Sequence, residues 1–234
     1  ESDAVNNIGY AYTVQGNVIT ALEYLHQSLR INEELKNDYG TATALNNIGT
    51  IYSKQGETKK ALEYHYRALK KREIVGDKPG IAQSLNNIGA LYDIVDDKKA
   101  NEYYQKSSAI YNEIGDKLGI ANSSNNIGSI YHRQGNHSLA ITYFEKSLKI
   151  HEEIGNLSGK AFTQNNIATL FYKIKRYNEA LAYALKGLQT AKKLSYPERI
   201  QNSADILKRI YLQQKKYKDA FEMQLGSISH RSAQ

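Results

Sequence analysis

The sequence predicts an all-α fold of about six helical hairpins arranged as one solenoid. Three observations support this prediction: a short motif recurs about every 40 residues, each copy carries two amphipathic runs separated by a turn, and only two prolines interrupt 234 residues. Self-similarity with a period of this length is the sequence signature of stacked structural repeats. Because helix breakers are rare, helix is expected through almost the whole chain.

The recurring motif is Asn-Asn-Ile-Gly. It occupies residues 6–9, 46–49, 86–89 and 125–128, and a fifth copy at 165–168 ends in alanine instead of glycine. A degenerate sixth copy at 205–208 has lost both asparagines, although Leu207 and Tyr211 remain. The one-residue shortening in the third copy falls in the turn at Asp96-Asp97, where a change in length disturbs the fold least.

The second copy shows why each repeat is expected to be a helical hairpin. Leu45, Ile48 and Tyr52 recur with the spacing of one helix face. Past the turn, Ala61 begins a second run with a broader apolar face. Gly49 lies inside the first helix, where glycine costs about 1 kcal/mol relative to alanine. We therefore expect the second helix of the hairpin to approach the first closely at this glycine.

Connectors between the repeats combine helix-ending and helix-starting residues. A glycine ends the second helix of several copies, since glycine adopts the left-handed conformation that caps a helix C-terminus. The acidic or amide residue after it is a favoured N-cap for the next helix. These pairs are Gly76-Asp77, Gly115-Asp116 and Gly155-Asn156. Together with the 40-residue period, these pairs divide the chain into repeats at about 1–37, 38–76, 77–115, 116–155, 156–196 and 197–234, of which the first is truncated and the last divergent.

These motifs resemble the tetratricopeptide repeat (TPR) family along the whole chain. With the glycine of each copy at the family's eighth position, the second copy matches the family signature at Leu45, Ile48, Gly49, Tyr52, Gly56, Ala61 and Ala68. The period of 40 is similar to that of Rap-type bacterial regulators, kinesin light chain and the Pins/LGN spindle adaptor. The motif itself resembles bacterial TPR segments that precede a kinase, cyclase or DNA-binding output domain. The resemblance therefore implies a non-enzymatic interaction module, the sensory or scaffolding part of a bacterial signalling regulator.

The resemblance also implies that the hairpins form a right-handed α–α superhelix, with a concave groove lined by the first helix of each hairpin. Paired asparagines on this wall are the main candidates for peptide contact, because an amide both donates and accepts hydrogen bonds and relatives with this period use asparagines in this way. The second asparagine of each pair is the first choice: Asn7, Asn47, Asn87, Asn126 and Asn166. The first asparagines are the further candidates: Asn6, Asn46, Asn86, Asn125 and Asn165. The alternative is a structural ladder in which one member of each pair joins neighbouring repeats.

Charged residues on the same helix faces bear on the charge of the ligand. Lys54, Arg133 and Lys173 are the basic candidates for peptide contact. Basic side chains slightly outnumber acidic ones in the expected groove, which indicates a mildly acidic peptide. The alternative is that half of these side chains point into solvent. The wall of the last two repeats also carries Phe162, Asn202, Asp205 and Arg209.

The composition excludes several other functions. The chain has no cysteine, which removes disulfides, thiolate metal sites and a cysteine nucleophile. His132 and His137 lie five residues apart across a turn and have no further ligands at helical spacing, so neither a metal nor another cofactor is expected. The formal net charge of +7 is a mild excess, and the basic clusters are too short for nucleic-acid binding. No apolar run reaches the roughly 20 residues that span a bilayer.

The sequence leaves the ligand, the oligomeric state and the compartment open, although a cytoplasmic location is favoured over a periplasmic one. It starts at Glu1 without an initiator methionine, which suggests a processed product or a piece of a longer protein. The expected function is to bind an extended peptide, or a segment of a partner protein, in the groove. The alternative is a structural element that self-assembles through its first and last helices and has no peptide ligand.

Overall fold

The helices follow the predicted repeat pattern, two for each copy of the motif. The computed structural model describes residues 2–195 and 197–231, with side chains described through Gln224, and in this part of the chain twelve α-helices form six consecutive hairpins. In order they are α1 Ser2–Val14, α2 Val18–Glu34, α3 Asp38–Lys54, α4 Thr58–Val75, α5 Lys78–Tyr92, α6 Asp97–Ile114, α7 Lys117–Arg133, α8 His137–Glu153, α9 Leu157–Lys173, α10 Tyr177–Lys193, α11 Pro197–Gln213 and α12 Tyr217–Arg231. We call the odd-numbered helices, which open each hairpin, the A helices and the even-numbered ones the B helices. The predicted all-α fold of six stacked hairpins is confirmed.

The connectors between hairpins cap the helices as predicted. Helix α4 ends at Gly76, which has the left-handed φ of +70°. The next residue, Asp77, accepts a hydrogen bond from the backbone N–H of Gly80 at 3.1 Å and so caps α5. Asp116 and Asn156 cap α7 and α9 in the same way, each at 3.0 Å. These bonds satisfy N–H groups that a helix start would otherwise leave without a partner.

The turns inside five of the six hairpins contain a residue with positive φ, and not every one of these turns supplies glycine for it. Gly56 has φ +76° in the second hairpin. The fifth and sixth hairpins place Lys175 and Lys215 in the equivalent turns, with φ of 62° and 57°. A side chain in the left-handed region costs about 1–2 kcal/mol because its Cβ crowds the following carbonyl. The two C-terminal hairpins therefore hold backbone strain that the glycine turns avoid.

The A and B helices of a hairpin approach closely at the motif glycine, as predicted. A Cβ on Gly49 would lie 3.0 Å from the His65 imidazole of the facing B helix. The same relation joins Gly89 to Tyr104 and Gly128 to Phe144. In the fifth hairpin the two equivalent positions are Ala168 and Ala184, both fully buried. Alanine thus replaces the motif glycine in a hairpin whose opposing B-helix residue is small.

Two compact units make up the chain, residues 1–119 and residues 120–234. In the first unit, Ile48 is fully buried in a core that draws on successive hairpins. In the second, Ile167 and Leu207 bring α9 and α11 into one core. Because each hairpin buries its apolar side against the next one, the opposite side of the A helices is left to polar residues. That one continuous solenoid runs from residue 1 to 234 stays a prediction.

Candidate functional site

Hydrogen bonds between asparagine side chains connect the A helices of neighbouring hairpins. In each bond the second asparagine of one motif donates to the first asparagine of the preceding motif. The bonds run from Asn47 to Asn6, Asn87 to Asn46 and Asn166 to Asn125, with Nδ2–Oδ1 distances of 3.1, 3.1 and 3.0 Å. We call these three hydrogen bonds the amide ladder. The first two lie in the first unit and the third lies in the second unit.

The first asparagine is buried in the second, fourth and fifth motifs, whereas Asn6 and Asn86 are only half-buried. Asn46, Asn125 and Asn165, the buried first members, have exposed fractions of 6%, 3% and 5%. Asn47 and Asn166, second members, are half-buried and reach the surface of the A helices. Asn46 and Asn125 are thus buried acceptors that orient the second asparagine of a neighbouring motif. The structural role that the sequence left open is present, and ligand contact by the second asparagines stays a prediction.

The second asparagines keep hydrogen-bonding capacity beyond the ladder. A side-chain amide has two N–H donors and one carbonyl acceptor, and the ladder uses one donor. Within the described ranges, Asn47, Asn87 and Asn166 make no further side-chain hydrogen bond. One N–H and the carbonyl oxygen of each are therefore available to a ligand. Asn86 and Asn126 also have interaction partners.

The ladder stops at the outer hairpins. Asn7 on α1 is exposed. In the sixth motif Ile206 stands where the second asparagine would be, so Asn165 has no amide partner on α11. Its Oδ1 instead accepts a hydrogen bond from the Ser203 hydroxyl at 3.0 Å. A Cβ on Gly187 would collide with the same oxygen. The absence of a side chain on this glycine lets the Asn165 amide lie against α10.

The basic candidates lie at the ends of their helices. Lys54, Arg133 and Lys173 are exposed residues in the last turns of α3, α7 and α9. A cation at a helix C-terminus is stabilised by the helix dipole, which is a structural cause for this position besides ligand binding. In the second unit, burial lowers the pKa of His132, and the nearby His137, Lys173 and Arg133 lower it further. Arg133 and Lys173 therefore contribute to one region of positive potential, whereas Lys54 lies in the first unit.

A cavity of about 260 Å³ opens on the A helices of the second unit, between α9 and α11. It is lined on α9 by Phe162, Asn165, Asn166 and Thr169 and on α11 by Asn202, Asp205, Ile206 and Arg209. The Phe162 ring is 39% exposed and lies 4.6 Å from the guanidinium of Arg199. Sequence reasoning did not single out Ile206 as a site residue. The signal that could have found it is the replacement of the ladder asparagine by isoleucine in the sixth motif.

A larger hollow, of about 820 Å³, follows one face of α2. Its described lining comes from that helix alone and includes Ile19, His26 and Arg30. A ligand site brings polar and apolar groups together from several sides, which a single helix face does not do. We therefore assign the candidate site to the A helices.

The described residues contain neither a metal-binding group of side chains nor a membrane-spanning helix. His132 and His137 have ring centroids 5.5 Å apart. No group of three or more histidine or acidic side chains among residues 2–195 and 197–224 is arranged to hold a metal ion. No helix in those ranges combines the length and apolarity that crossing a bilayer requires.

Several solved structures share this fold at low sequence identity. BtubC (BKLC) from P. vanneervenii is 18% identical with a TM-score of 0.78, and the match covers 91% of this chain and 90% of that one. The apo form of RapI is 17% identical with a TM-score of 0.80, covering 99% and 83%. A Rap protein complexed with competence and sporulation factor is 14% identical with a TM-score of 0.76, covering 98% and 74%. At these identities the likeness shows the fold alone.

Family membership follows from the sequence as well as from the fold. No curated protein matches the sequence. The family profile described as tetratricopeptide repeat matches residues 2–74 and 119–193, together more than half of the chain. Repeats of this family typically mediate protein–protein interactions and are typically non-catalytic. With six hairpins, a recurring motif and a matching profile, the chain belongs to the tetratricopeptide repeat family.

Proposed function

We propose that this chain is a non-enzymatic module that binds an extended peptide, or an extended segment of a partner protein, along its A helices. The observation that carries the proposal is the state of Asn47, Asn87 and Asn166, which are half-buried and oriented by the ladder. Each offers one N–H and one carbonyl oxygen, which match the acceptor and donor of a peptide unit. Each such hydrogen bond contributes roughly 0.5–1.5 kcal/mol. Several of them give affinity with little dependence on peptide sequence.

The structural neighbours support a role in signalling. One of them, a Rap protein, was solved in complex with competence and sporulation factor. We propose by analogy that this chain is the sensory or scaffolding part of a bacterial regulator. The positive potential to which Arg133 and Lys173 contribute favours a mildly acidic peptide over a basic one.

Two matched variants in the second unit test the proposal. Asn166→Ala and Asn125→Ala remove the same ladder bond, but only the first removes an amide from the surface. Peptides selected against this chain from a random-peptide display library are the probes. We expect Asn166→Ala to weaken their binding about 2–10-fold, the equivalent of one hydrogen bond, and Asn125→Ala to weaken it less.

Thermal unfolding of both variants shows whether each is folded at the assay temperature. If selected peptides bind Asn166→Ala as tightly as the unmodified chain, the asparagines serve the ladder alone and the proposed function fails. If Asn166→Ala weakens peptide binding less than Asn125→Ala does, the proposed function also fails. The loss of binding would then come from the broken ladder bond.

A second candidate function, self-assembly, is favoured by one observation on α1. Ile8 is 42% exposed, although its equivalents Ile48, Ile88, Ile127 and Ile167 are at most 1% exposed. An exposed position that is buried in the other hairpins can accept a further hairpin, either of a longer chain or of a second copy. Sedimentation velocity at several concentrations tests this candidate. If α1 self-associates, the chain forms a concentration-dependent dimer, and Ile8→Asn should abolish that dimer. A chain that stays monomeric and captures peptide removes this candidate.

A further inference from the structure

The three turns that join A helices to B helices in the second unit are rich in basic residues. They cover residues 133–137, 173–177 and 213–217 and contain no acidic residue. The equivalent turns of the first unit have no net positive charge; they are residues 14–18, 54–58 and 94–97. We call the exposed cations of the second unit's turns the basic edge: Arg133, Lys173, Lys175, Arg176, Lys215 and Lys216.

The fold brings these turns together, although each cluster alone is too short for nucleic-acid binding. The hydrogen bond from Asn166 to Asn125 joins α9 to α7, and α9 and α11 share one core, so the turns at the C-terminal ends of these helices lie along one edge. Burial is the main cause of the lowered pKa of His132 beside the first turn, and the charge of Lys173 in the second turn lowers it further. Because packed helices have axes about 8–10 Å apart, the basic edge is about 20 Å long.

Two of these turns give up local stability where they carry their cations. In the fourth hairpin, Gly135 provides the positive φ and the Asn136 side chain caps α8. The fifth hairpin has Lys175 and Arg176 instead; the lysine has a φ of 62° and the arginine makes no side-chain capping bond to α10. The sixth hairpin makes the same exchange at Lys215-Lys216. A cation at a helix start also faces the positive end of the helix dipole. Residues that oppose local stability in this way are typical of functional sites.

Most of the charge on the basic edge is available to a ligand. Its four lysines are exposed and make no ion pair within the part of the chain that the structure describes. Arg176 differs, because its guanidinium is paired with the Glu179 carboxylate at 2.6 Å. Just beyond the third turn, Lys218 and Asp219 have opposite charges and offset each other. The edge can therefore neutralise about four phosphate groups.

An aromatic ring accompanies each of the three turns, at the first residue of the B helix. These residues are His137, Tyr177 and Tyr217. The B helices of the first unit start with none; their first residues are Val18, Thr58 and Asp97. The Tyr217 ring is 65% exposed. Surfaces that bind single-stranded nucleic acid combine cations for the phosphates with aromatic rings on which bases stack. An acidic protein segment carries no bases to stack on such rings, and in a duplex the bases are already stacked on one another.

We propose that the basic edge binds single-stranded nucleic acid without sequence preference. Its lysines pair with phosphates, and Tyr177 and Tyr217 contact the bases. This function goes beyond the proposed peptide binding, because it uses the turns and not the asparagines of the A helices. The two functions can therefore fail independently.

Fluorescence anisotropy of a labelled oligothymidylate of about 15 nucleotides measures binding to the full chain. We expect the logarithm of the association constant to fall with the logarithm of the salt concentration with a slope of about −3, because each of the four lysine–phosphate contacts contributes about −0.7. An oligouridylate of the same length, tested in parallel, distinguishes an RNA ligand from a DNA ligand. If neither strand binds at about 50 mM salt, where phosphate contacts are strong, the proposal is overturned.

The double variant Lys175→Gly/Lys215→Gly tests the lysines in a chain that stays folded, because glycine accepts the positive φ of both turns. We expect it to bind the oligothymidylate at least about tenfold more weakly at about 50 mM salt, with a slope of about −1.5. Lys36→Gly is the matched control, since Lys36 is an exposed lysine of the first unit with a φ of 53°, and it should leave binding unchanged. An unchanged slope in the double variant would contradict the proposal.

Tyr217→Ala tests the contact with the bases. We expect it to weaken the oligothymidylate at least about fivefold, whereas Tyr39→Ala, at a tyrosine of the first unit that is 61% exposed, should have no effect. Full affinity in Tyr217→Ala would overturn the proposal, and so would a duplex of the same length that binds as tightly as the single strand.

Competition distinguishes a nucleic acid from an acidic protein segment. Oligoglutamate of the same charge should displace the labelled strand less effectively than unlabelled oligothymidylate does. Equal displacement would assign the basic edge to an acidic protein segment and overturn the proposal. Asn166→Ala should leave oligothymidylate binding unchanged, so a failure of the proposed peptide binding is distinguishable from a failure of this inference.

Discussion

His65 couples the stability of the first unit to pH. Its imidazole is 1% exposed, faces Gly49 on the A helix, and has an Nδ1 atom without a hydrogen-bond partner. Burial, with a smaller contribution from the charge of Arg72, lowers the pKa of His65 from 6.5 to about 4. The fold therefore accommodates the neutral imidazole and disfavours the charged one.

The direction of the pH effect follows from the two pKa values. Between pH 6.5 and about 4 the unfolded chain holds a proton on His65 that the folded chain does not hold, so the free energy of unfolding falls as the pH is lowered. The contribution of His65 is fully present above pH 6.5. At 1.36 kcal/mol per pH unit, the pKa difference corresponds to about 3 kcal/mol, of which about 2 kcal/mol is lost by pH 5.

His65→Phe isolates this effect, because Phe144 already occupies the equivalent position against Gly128 in the fourth hairpin. Urea unfolding followed by circular dichroism at pH 7 and pH 5 gives the free energy of unfolding of both proteins. Carboxylates and the other histidines titrate in both and cancel in the difference. We expect the variant to gain about 2 kcal/mol relative to the unmodified chain between pH 7 and pH 5. A difference that does not change with pH would refute the reasoning.

Urea unfolding also measures three further predictions. Gly49→Ala should destabilise the chain despite a gain of about 1 kcal/mol in helix propensity, because the added methyl group would contact the His65 ring. Combining it with His65→Ala should relieve that loss. If the two substitutions change the free energy of unfolding additively, the packing argument is contradicted. Lys175→Gly should raise the free energy of unfolding by about 1 kcal/mol by removing a left-handed side chain, so a decrease would show that no strain is present. Arg72→Met should lower the free energy of unfolding by about 3 kcal/mol, since the buried guanidinium makes three hydrogen bonds across the seam between α4 and α5. The control Lys70→Met, at an exposed site, should change it by less than about 0.5 kcal/mol.

The sequence was sufficient to predict the helices and their order, because those depend on local physics repeated six times. The glycine and N-cap pair at Gly76-Asp77 marks a helix boundary through interactions within a few residues. The period-3.6 pattern around Ile48 marks the buried face. Repetition of the same local signals in several copies removed the ambiguity that a single copy would have had.

A second set of glycines near the start of the A helices was not interpreted from the sequence. Each makes room for a side chain from the preceding B helix, and that side chain differs at every seam. The pairs are Gly40 with Asn32, Gly80 with Arg72, Gly119 with Tyr111 and Gly159 with His151. The glycines were visible in the sequence, but their partners lie eight residues away across a connector. Each pair comes into contact through the packing of the B helix against the next A helix.

The sequence also could not predict which asparagine of a pair is buried and which reaches the surface. Both members of a pair are polar and adjacent, and a rotation of about 100° around the helix axis separates their side chains. Whether Asn46 or Asn47 is buried depends on how the next hairpin packs, which no local pattern encodes. The cavity beside Ile206 depends on the same packing and on the unusual placement of the Asn165 amide.

The most direct measurement of ligand contact is NMR of the side-chain amide groups of Asn47, Asn87 and Asn166 during titration with a peptide selected against this chain. Binding of the peptide main chain predicts saturable shifts of both N–H signals of at least one of these amides, while the buried amide of Asn46 changes little. Shifts confined to other surfaces, with all three amide groups unchanged at saturation, would contradict the proposed function.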